Sequence, residues 1–283
     1  MTVNLATKYA SQALDAFKIE NPLAGVFQAK YDWSGNRTVI VHTNGTAAMN
    51  NYTRTGTARY GTMENFANTA DTLTVTQARS FTMAIDNEDI VDTGNTANVG
   101  AFLRQQINRK IVPDVISYCL DALHDGAATE SASAVITSAN AFTEFQAGNL
   151  VVSNLLVPLD GRAAICTYTY LSKLRLDTNF VLASDMAQDQ IKFKGQVGMC
   201  DGVPIIPVAD GLMNDAATYN GADNHVDFII VHADAVAAPW KLEDYVIHDR
   251  PPGINGQLVE GLVVYDLFVL DALHDGVYAH VHA

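Results

Sequence analysis

The sequence NTANVGAFLRQQINRKIVPDVISYCLDALHDG, residues 95–126, carries the longest helical pattern in the chain. From Val99 to Leu123 its apolar residues recur at gaps of three and four, which places them along one stripe of an α-helix. A helix of about 30 residues is roughly 45 Å long, so we expect a strut across an extended molecule. The stripe is not an uninterrupted heptad, which argues against a coiled coil. Pro113 lies inside the pattern and predicts a kink or a junction of two helices.

The two ends of this pattern carry helix boundary signals. Thr93, Asn95 or Thr96 could cap the start, because their side-chain oxygens can accept from free backbone N–H groups. Gly126 is expected in the left-handed conformation that commonly ends a helix. His124 lies in the last turn, where a positive charge suits the negative pole of the helix dipole.

Composition indicates a folded protein of one large domain or two ordinary ones. The chain has 283 residues, of which 48% are hydrophobic, a fraction too high for disorder. No apolar run is long enough to cross a bilayer. Residues 1–20 lack the basic and apolar regions of a signal peptide. The three cysteines, at positions 119, 166 and 200, show no metal-binding spacing, and buried reduced thiols are expected.

Charge is distributed unevenly along the chain. Residues 1–119 hold 10 basic and 10 acidic residues, whereas residues 120–283 hold 7 basic and 21 acidic residues and carry the whole net charge of −14. An acidic chain without a basic run is a poor nucleic-acid binder, because phosphate contacts need Lys and Arg. The asymmetry favours attraction between opposite halves of different copies.

The segment 43–82 is unusually rich in threonine, with eleven in 40 residues and few large aliphatic side chains. Thr72–Thr76 alternates as a strand does, and residues 79–83 are predicted to extend it. A two-stranded arm fits this composition, but such a ribbon is marginal alone in water. It would need to lie on another subunit. Its charge is mildly positive, from Arg37, Arg54, Arg59 and Arg79 against Glu64 and Asp71.

The remaining patterns predict an α+β protein. Helices are expected at 3–18, 142–157 and 170–175, and a loop at 210–224. Strands are expected at 38–42, 162–167, 203–208, 226–231, 241–248, 258–270 and 276–281. The glycine-rich turns at 195–202 precede a proline-flanked apolar run, which is typical of an edge strand or a short core strand.

Few residues suggest chemistry, since no Walker loop, G-x-G-x-x-G, G-x-S-x-G or H-E-x-x-H motif occurs. The acidic group Asp86, Glu88, Asp89 and Asp92 could bind a divalent cation, but acidic residues ahead of a helix also favour its N-terminal dipole, which is the preferred interpretation.

Two further polar features were weighed as sites. His280 and His282 share one strand face, as two metal ligands would, but we expect no nearby cysteine or carboxylate to complete a set. Asp266 interrupts an apolar face, and a buried aspartate needs hydrogen-bond donors, so a structural hydrogen bond is favoured over a catalytic base. Neither feature predicts an enzyme, a cofactor or a bound metal.

Four segments, in this order, resemble recurring patterns of the major capsid proteins of tailed bacteriophages, whose architecture is the Hong Kong 97-type fold. They are FTMAID at 81–86, VPLDGR at 157–162, GMCDGVPII at 198–206 and YDLFVL at 265–270. The resemblance covers nearly the whole chain and rests on the order and spacing of the elements.

The resemblance implies a division of the chain into five parts. Residues 1–36 would be an N-terminal arm and residues 37–82 an extended two-stranded loop. A peripheral domain with the long spine helix would span 83–160, and its return strands would span 236–283. An axial domain would span 161–235.

The implied function is structural. Copies would self-assemble as hexamers and pentamers into an icosahedral head enclosing double-stranded DNA, without sequence-specific DNA contacts, a membrane, a cofactor or enzymatic activity. Implied partners are a separate scaffolding protein, a portal and, where present, a decoration protein. The implied location is the virion, assembled in the host bacterial cytoplasm. Electrostatics alone suggests Arg54, Arg59 and Arg79 as contacts to acidic neighbours.

The sequence departs from the family in two ways. No lysine occurs between Lys30 and Lys110, so the covalent cross-linking through a loop lysine that some relatives use is not expected. Residue 1 lies close to the arm, and the initial Met argues against cleavage, so any scaffold is expected to be a separate protein.

Two alternative functions stay open. The second hypothesis is an encapsulin-like nanocompartment shell, and the third hypothesis is an unrelated enzyme using the acidic group or His280 and His282.

Overall fold

The computed structural model describes Leu23, Val26 and residues 37–92, 99–133, 135–176, 181–182, 197–213 and 226–282. Contacts divide the chain into two compact units, the smaller of which is Asp32–Val75. We call its described part, residues 37–75, the hairpin unit, and the described residues 76–282 the body. No helix in these ranges is long and apolar enough to cross a membrane. The predicted helix at 3–18 lies outside the described residues.

The described secondary structure comprises five α-helices and fourteen strands. The helices are α1 (Asn87–Asp92), α2 (Val99–Gln106), α3 (Val112–Asp125), α4 (Ala141–Asn154) and α5 (Tyr168–Leu174). The strands are β1 (Thr38–Asn44), β2 (Asn68–Thr74), β3 (Gln77–Asp86), β4 (Thr129–Ser133), β5 (Arg162–Thr167), β6 (Val181–Leu182), β7 (Gly198–Cys200), β8 (Val203–Val208), β9 (Val226–His232), β10 (Val236–Ala237), β11 (Trp240–Asp249), β12 (Gly256–Tyr265), β13 (Phe268–Val269) and β14 (Val277–His282).

Within the described residues the predicted long helix forms from Val99 to Asp125, and it is interrupted near Pro113 as expected. A π-helical segment, Ile107–Ile111, joins α2 to α3, and the backbone N–H of Val112 donates to the carbonyl of Ile107, five residues back. Pro113 has no N–H to donate to the carbonyl four residues before it, so the regular ladder fails at this point. The wider π turn absorbs that irregularity while the chain continues as a helix.

The predicted left-handed end of this helix is wrong. Gly126 has φ −87° and ψ 3°, which any residue can adopt. A Cβ at this position would lie 2.6 Å from Cγ2 of Val269 and 3.1 Å from the carbonyl of Ala122. Glycine is therefore needed here for the close approach of β13, not for its conformation. The capping candidates Thr93, Asn95 and Thr96 lie outside the described residues.

A seven-stranded mixed sheet forms the centre of the body, in the order β4-β14-β9-β5-β8-β7-β6. The β14–β4 and β5–β8 pairs are parallel and the others are antiparallel. β8 lies between β5 and β7 and is buried throughout, so it is a core strand rather than an edge strand. The sheet combines strands from both the predicted axial and peripheral parts of the chain.

Helices cover both faces of this sheet. Because successive side chains of a strand point to opposite faces, each face of the sheet contributes to a different hydrophobic core. Ala163 and Ile165 of β5 face a core shared with α3, whereas Ala164 and Cys166 face a second core shared with α4 and α5. In that second core the ring of Phe228 lies 5.4 Å from Phe145 and 5.0 Å from Tyr170. The result is a helix–sheet–helix sandwich.

A separate three-stranded sheet has the order β11-β12-β3. β3 and β12 pair without interruption over ten residues, from Gln77 to Asp86. Residues 79–83, predicted to extend the loop strand, belong instead to this sheet. Phe81 explains the difference, because its ring packs over Gly261 and lies 6.3 Å from Phe102 of α2. The predicted strand 258–270 ends at Tyr265 and resumes briefly as β13.

The hairpin unit consists of two antiparallel strands and a long connection. β1 and β2 pair over seven residues, from Thr38↔Thr74 to Asn44↔Asn68, which confirms the predicted two-stranded arrangement. Side chains add cross-strand hydrogen bonds, such as that from Asn68 Nδ2 to Asn44 Oδ1 at 2.9 Å. Within residues 37–75 only Leu73 and Val75 are buried. The hairpin unit therefore has no hydrophobic core of its own.

Candidate interaction surfaces

Large apolar side chains stand exposed in the hairpin unit. Met49 is 99% exposed, Met63 88% and Tyr60 84%. Three others are more than half exposed: Ile40, Tyr52 and Phe66. Isolated exposed hydrophobic residues are normal on a protein surface, but several of them in one segment that lacks a core are typical of a segment that another chain covers.

A tight turn holds two of the predicted interface residues beside this apolar surface. The backbone N–H of Thr53 donates to the carbonyl of Arg59 at 3.0 Å, and Arg59 Nε donates to the carbonyl of Gly56 at 3.2 Å. The rings of Tyr52 and Tyr60 meet edge to face at 5.2 Å. The side chains of Arg54 and Arg59 thus belong to a structured, exposed turn with an aromatic pair at its base.

The third predicted interface residue, Arg79, is not part of that turn. It lies on β3 in the body, opposite Val263, and lines a small cleft together with Tyr265. Burial raises the pKa of Tyr265, and Arg79 opposes that rise. Lys110 and Asp114 line the same small cleft. The structure brings Arg54 and Arg59 together and places Arg79 in a separate unit with an intramolecular role.

Asp266 is a buried structural anchor, as the sequence predicted. It is 2% exposed, and its Oδ2 accepts from the N–H and hydroxyl of Thr76 at 2.8 and 3.0 Å. Its Oδ1 accepts from the hydroxyl of Tyr118 and from the N–H of Leu267, both at 2.9 Å. Burial raises the pKa of Tyr118, and Asp266 raises it further. One carboxylate thereby ties the start of β3 to the spine helix and to the turn after β12.

A second buried polar centre, around Arg162, was not predicted. This arginine is 2% exposed, and burial lowers its pKa, opposed by the charge of Asp201. Its guanidinium donates to the carbonyls of Val157 and Pro158, to Oδ1 of Asn149 at 2.6 Å and to the hydroxyl of Ser153 at 2.9 Å. The only signal in sequence was a charged residue at the start of an otherwise apolar strand.

Within the acidic group before the spine helix, Asp86 caps the separate short helix α1, and the preferred interpretation, a favourable interaction with the dipole of the spine helix, stays a prediction. Oδ1 of Asp86 accepts from the backbone N–H of Glu88 at 2.9 Å, at the start of α1. The side chains of Asp89 and Asp92 lie outside what the structure describes. Among the described residues, no group of three or more His, Cys, Asp or Glu side chains could hold a metal ion.

The histidine pair has carboxylate neighbours that sequence proximity did not reveal, so the expectation of none nearby is wrong. His280 Nδ1 lies 3.3 Å from Oδ2 of Asp227, and His282 Nδ1 lies 3.0 Å from the same oxygen. Glu144 approaches Nε2 of His280 at 3.7 Å, and the imidazole stacks on Phe228. This arrangement joins β14 to β9 and α4. All three cysteines are free and buried, as expected, and burial raises the pKa of Cys166.

Sequence comparisons identify no relative. No protein-family model matches the chain, and no curated protein is similar to it in sequence.

Comparison with solved structures does find relatives in fold. A structure from Mycobacterium phage Che8 superposes with a TM-score of 0.67 at 18% identity, covering 91% of this chain and 90% of that one. The capsid structure of the cyanophage P-SCSP1u gives a TM-score of 0.65 at 12% identity, covering 91% and 86%. A virus-like particle from Pyrococcus furiosus gives 0.58 at 11% identity, covering 98% and 100%. These likenesses confirm the predicted α+β, Hong Kong 97-like fold.

Proposed function

We propose that this chain, which has the Hong Kong 97-type fold, is a major capsid protein that self-assembles as hexamers and pentamers into an icosahedral phage head around double-stranded DNA. One observation carries the proposal beyond fold: the hairpin unit exposes six large apolar side chains and has no core. A monomer gains nothing from such a segment, whereas a shell subunit can bury it on a neighbour.

The energetics favour a partner for the hairpin unit. Burying a large apolar side chain stabilises a structure by about 1.5–3 kcal/mol. Four side chains are each at least three-quarters exposed: Met49, Tyr60, Met63 and Phe66. If a neighbouring copy covered them, their burial would supply a substantial part of the free energy of association. The open ribbon, marginal alone, would be stabilised by the same contact.

Charge supports contact between copies and loose enclosure of DNA. Arg54 and Arg59 lie in a unit with few carboxylates, while residues 120–283 carry the net charge of −14. Opposite charges on two copies steer their association. An acidic wall repels phosphate, so packaged DNA would not adhere to it. In this proposal Arg54 and Arg59 contact acidic neighbours, and Arg79 contributes at the body surface.

The proposed organisation keeps the arm at 1–36, the peripheral domain with its return strands, and the axial domain at 161–235. We propose that the extended loop ends at residue 75 rather than 82, and the pairing of β3 with β12 supports this boundary. Partners besides other copies would be a separate scaffolding protein, a portal and, where present, a decoration protein. The protein would reside in the virion after assembly in the host bacterial cytoplasm, without enzymatic activity, a cofactor or a membrane.

A protein nanocompartment is the second candidate. The virus-like particle from Pyrococcus furiosus is matched over 98% of this chain and 100% of that chain. The two functions use the same shell architecture and differ in contents, so particle contents distinguish them.

Particle formation and content test the proposal. The chain would be expressed alone and with candidate scaffolding proteins, then examined by sedimentation and negative-stain microscopy. Closed shells, or uniform hexamers and pentamers, are expected, and native particles should contain nuclease-protected DNA. Particles holding protein and no DNA would support the nanocompartment instead. A chain that stays monomeric under every condition would contradict both.

A further inference from the structure

An apolar groove of about 540 Å³ lies at the carboxyl end of α4, within the body. We call it the leucine groove and define it by Leu155, Leu156, Val157, Pro158 and Leu273. Leu156 is 90% exposed, and Leu155 and Leu273 are 40% and 44% exposed. Three partly or largely exposed leucines that line one groove are typical of an interaction site.

The groove is preformed, because hydrogen bonds hold its backbone in place. Buried Arg162 donates to the carbonyls of both Val157 and Pro158. Leu156 holds φ 61°, a left-handed conformation that is unfavourable for a non-glycine residue, and its N–H donates to the carbonyl of Ser153. The outward position of the Leu156 side chain is thus imposed by the fold. A preformed groove binds without the cost of ordering itself.

The electrostatic character of the groove is negative. Asp234 and Asp275 line it, and no lysine or arginine does so among the described residues. The carboxyl end of α4 adds the negative pole of a 14-residue helix. His232 also lines the groove, but its Nδ1 accepts from the N–H of Asp234 and its Nε2 contacts the carbonyl of Asp160. Both ring nitrogens are therefore engaged within the chain.

We propose that the leucine groove binds a basic amphipathic helix of a separate protein, with apolar residues spaced three and four apart filling the groove and lysines or arginines meeting Asp234, Asp275 and the end of α4. The groove volume suits the few apolar anchors that one helix face presents. The hairpin unit of another copy fits less well, since five of its six exposed apolar residues are spread along the connection between β1 and β2, which carries only two arginines. This inference does not depend on shell formation.

A designed peptide tests the proposal on the full chain. The probe is a fluorescent peptide of about 14 residues, four helical turns, built from leucine on one face and lysine on the other. Two matched peptides serve as controls: one with glutamate replacing lysine, and one with the same composition but no apolar face. Fluorescence anisotropy should detect binding of the Leu/Lys peptide alone, weakening as salt is raised.

Variants locate the binding site. Leu156→Ser and Leu273→Ser should each weaken binding by about tenfold, the loss expected from one buried leucine contact. Asp275→Asn and Asp234→Asn should weaken it by less and flatten its salt dependence. Leu176→Ser is the matched control, because Leu176 is 74% exposed and does not line the groove. Equal binding of the control peptides, or equal effects of Leu176→Ser, would overturn the proposal.

A cross-linking measurement identifies what covers the groove in assemblies. A photo-cross-linker attached to Leu156→Cys in particles purified with all their proteins should label a different protein. Cross-links to another copy of this chain would show that the groove is a subunit contact and would overturn the proposal of a separate partner.

Discussion

The two units of this molecule differ in how much apolar surface they bury. In the body, a seven-stranded sheet is buried between helices on both faces, and the buried Asp266 and Arg162 each take part in several hydrogen bonds. In the hairpin unit, two strands pair but bury almost nothing, and Met49, Tyr60 and Phe66 are exposed. The body is stabilised by its own contacts, whereas the hairpin unit lacks such contacts and, in our proposal, gains them from a partner.

The largest expected effect is in the aromatic core of the body. Phe228→Ala should lower the free energy of unfolding of the unassembled chain by about 4 kcal/mol, because the ring touches Phe145 and Tyr170 and leaves a cavity. Phe66→Ala is the matched truncation in the hairpin unit, where the ring is 76% exposed, and should change stability by less than about 0.5 kcal/mol. Urea denaturation measures both. Equal losses would break the comparison between the two units.

The next effect is at the buried carboxylate. Asp266→Ala should destabilise the chain by about 3 kcal/mol, since it leaves the N–H groups of Thr76 and Leu267 and the hydroxyl of Tyr118 without their acceptor. Asp249→Ala, at an exposed strand end, is the control and should be nearly neutral. A similar loss in both variants would mean that Asp266 acts through general charge rather than through its donors.

Alkaline pH should weaken the body through its buried tyrosines. Burial raises the pKa of Tyr170, whose hydroxyl donates to the carbonyl of Ala141. Its folded-state pKa lies above the unfolded value of about 10, so its contribution is fully present below pH 10 and is lost as pH rises further. One such tyrosine gives a slope of at most about 1.4 kcal/mol per pH unit. Denaturation between pH 9 and 11 should show a shallower slope for Tyr170→Phe, and no change for Tyr60→Phe, whose ring is 84% exposed.

The hairpin unit should show the reverse response, with no loss of stability and a loss of assembly. The double variant Tyr60→Ser and Met63→Ser should unfold like the parent chain, because both side chains are exposed. If neighbours cover these side chains, sedimentation should show fewer or smaller assemblies at the same protein concentration. Unchanged assembly would mean that the exposed apolar residues have another purpose.

The smallest expected effect concerns charge. Arg54→Glu with Arg59→Glu should leave unfolding unchanged and raise the protein concentration needed for assembly, most clearly at low salt where exposed charges are least screened. Arg54→Lys with Arg59→Lys is the control and should assemble nearly normally. An identical effect at low and high salt would exclude an electrostatic role for these arginines.

Sequence alone gave most of the local elements, because their signals are local. β5 spans the residues predicted for it, 162–167, and the spine helix breaks beside Pro113 as expected. The donors around Asp266 followed from the cost of burying a lone carboxylate. The capsid-type fold was recognised from the order of such segments.

The failures involve contacts between residues far apart in sequence. Asp227 meets His280 only because β9 pairs with β14, and Gly126 needs to be small only because β13 passes beside it. Arg79 separates from Arg54 and Arg59 because β3 pairs with β12. The local sequence pattern does not encode these strand pairings. It could therefore suggest individual arginines as interface residues, but not which of them lie close together.

The π segment at Ile107–Ile111 lets the two halves of the spine helix pack against different sheets. One added residue rotates everything beyond it by about 100° around the helix axis. That phase shift lets Phe102 of α2 face Phe81 in the three-stranded sheet, while α3 turns its apolar stripe toward β9 and β14. Removing a single residue from this segment would rotate α3 by about 100° relative to α2 and so misalign one half of the spine with its sheet.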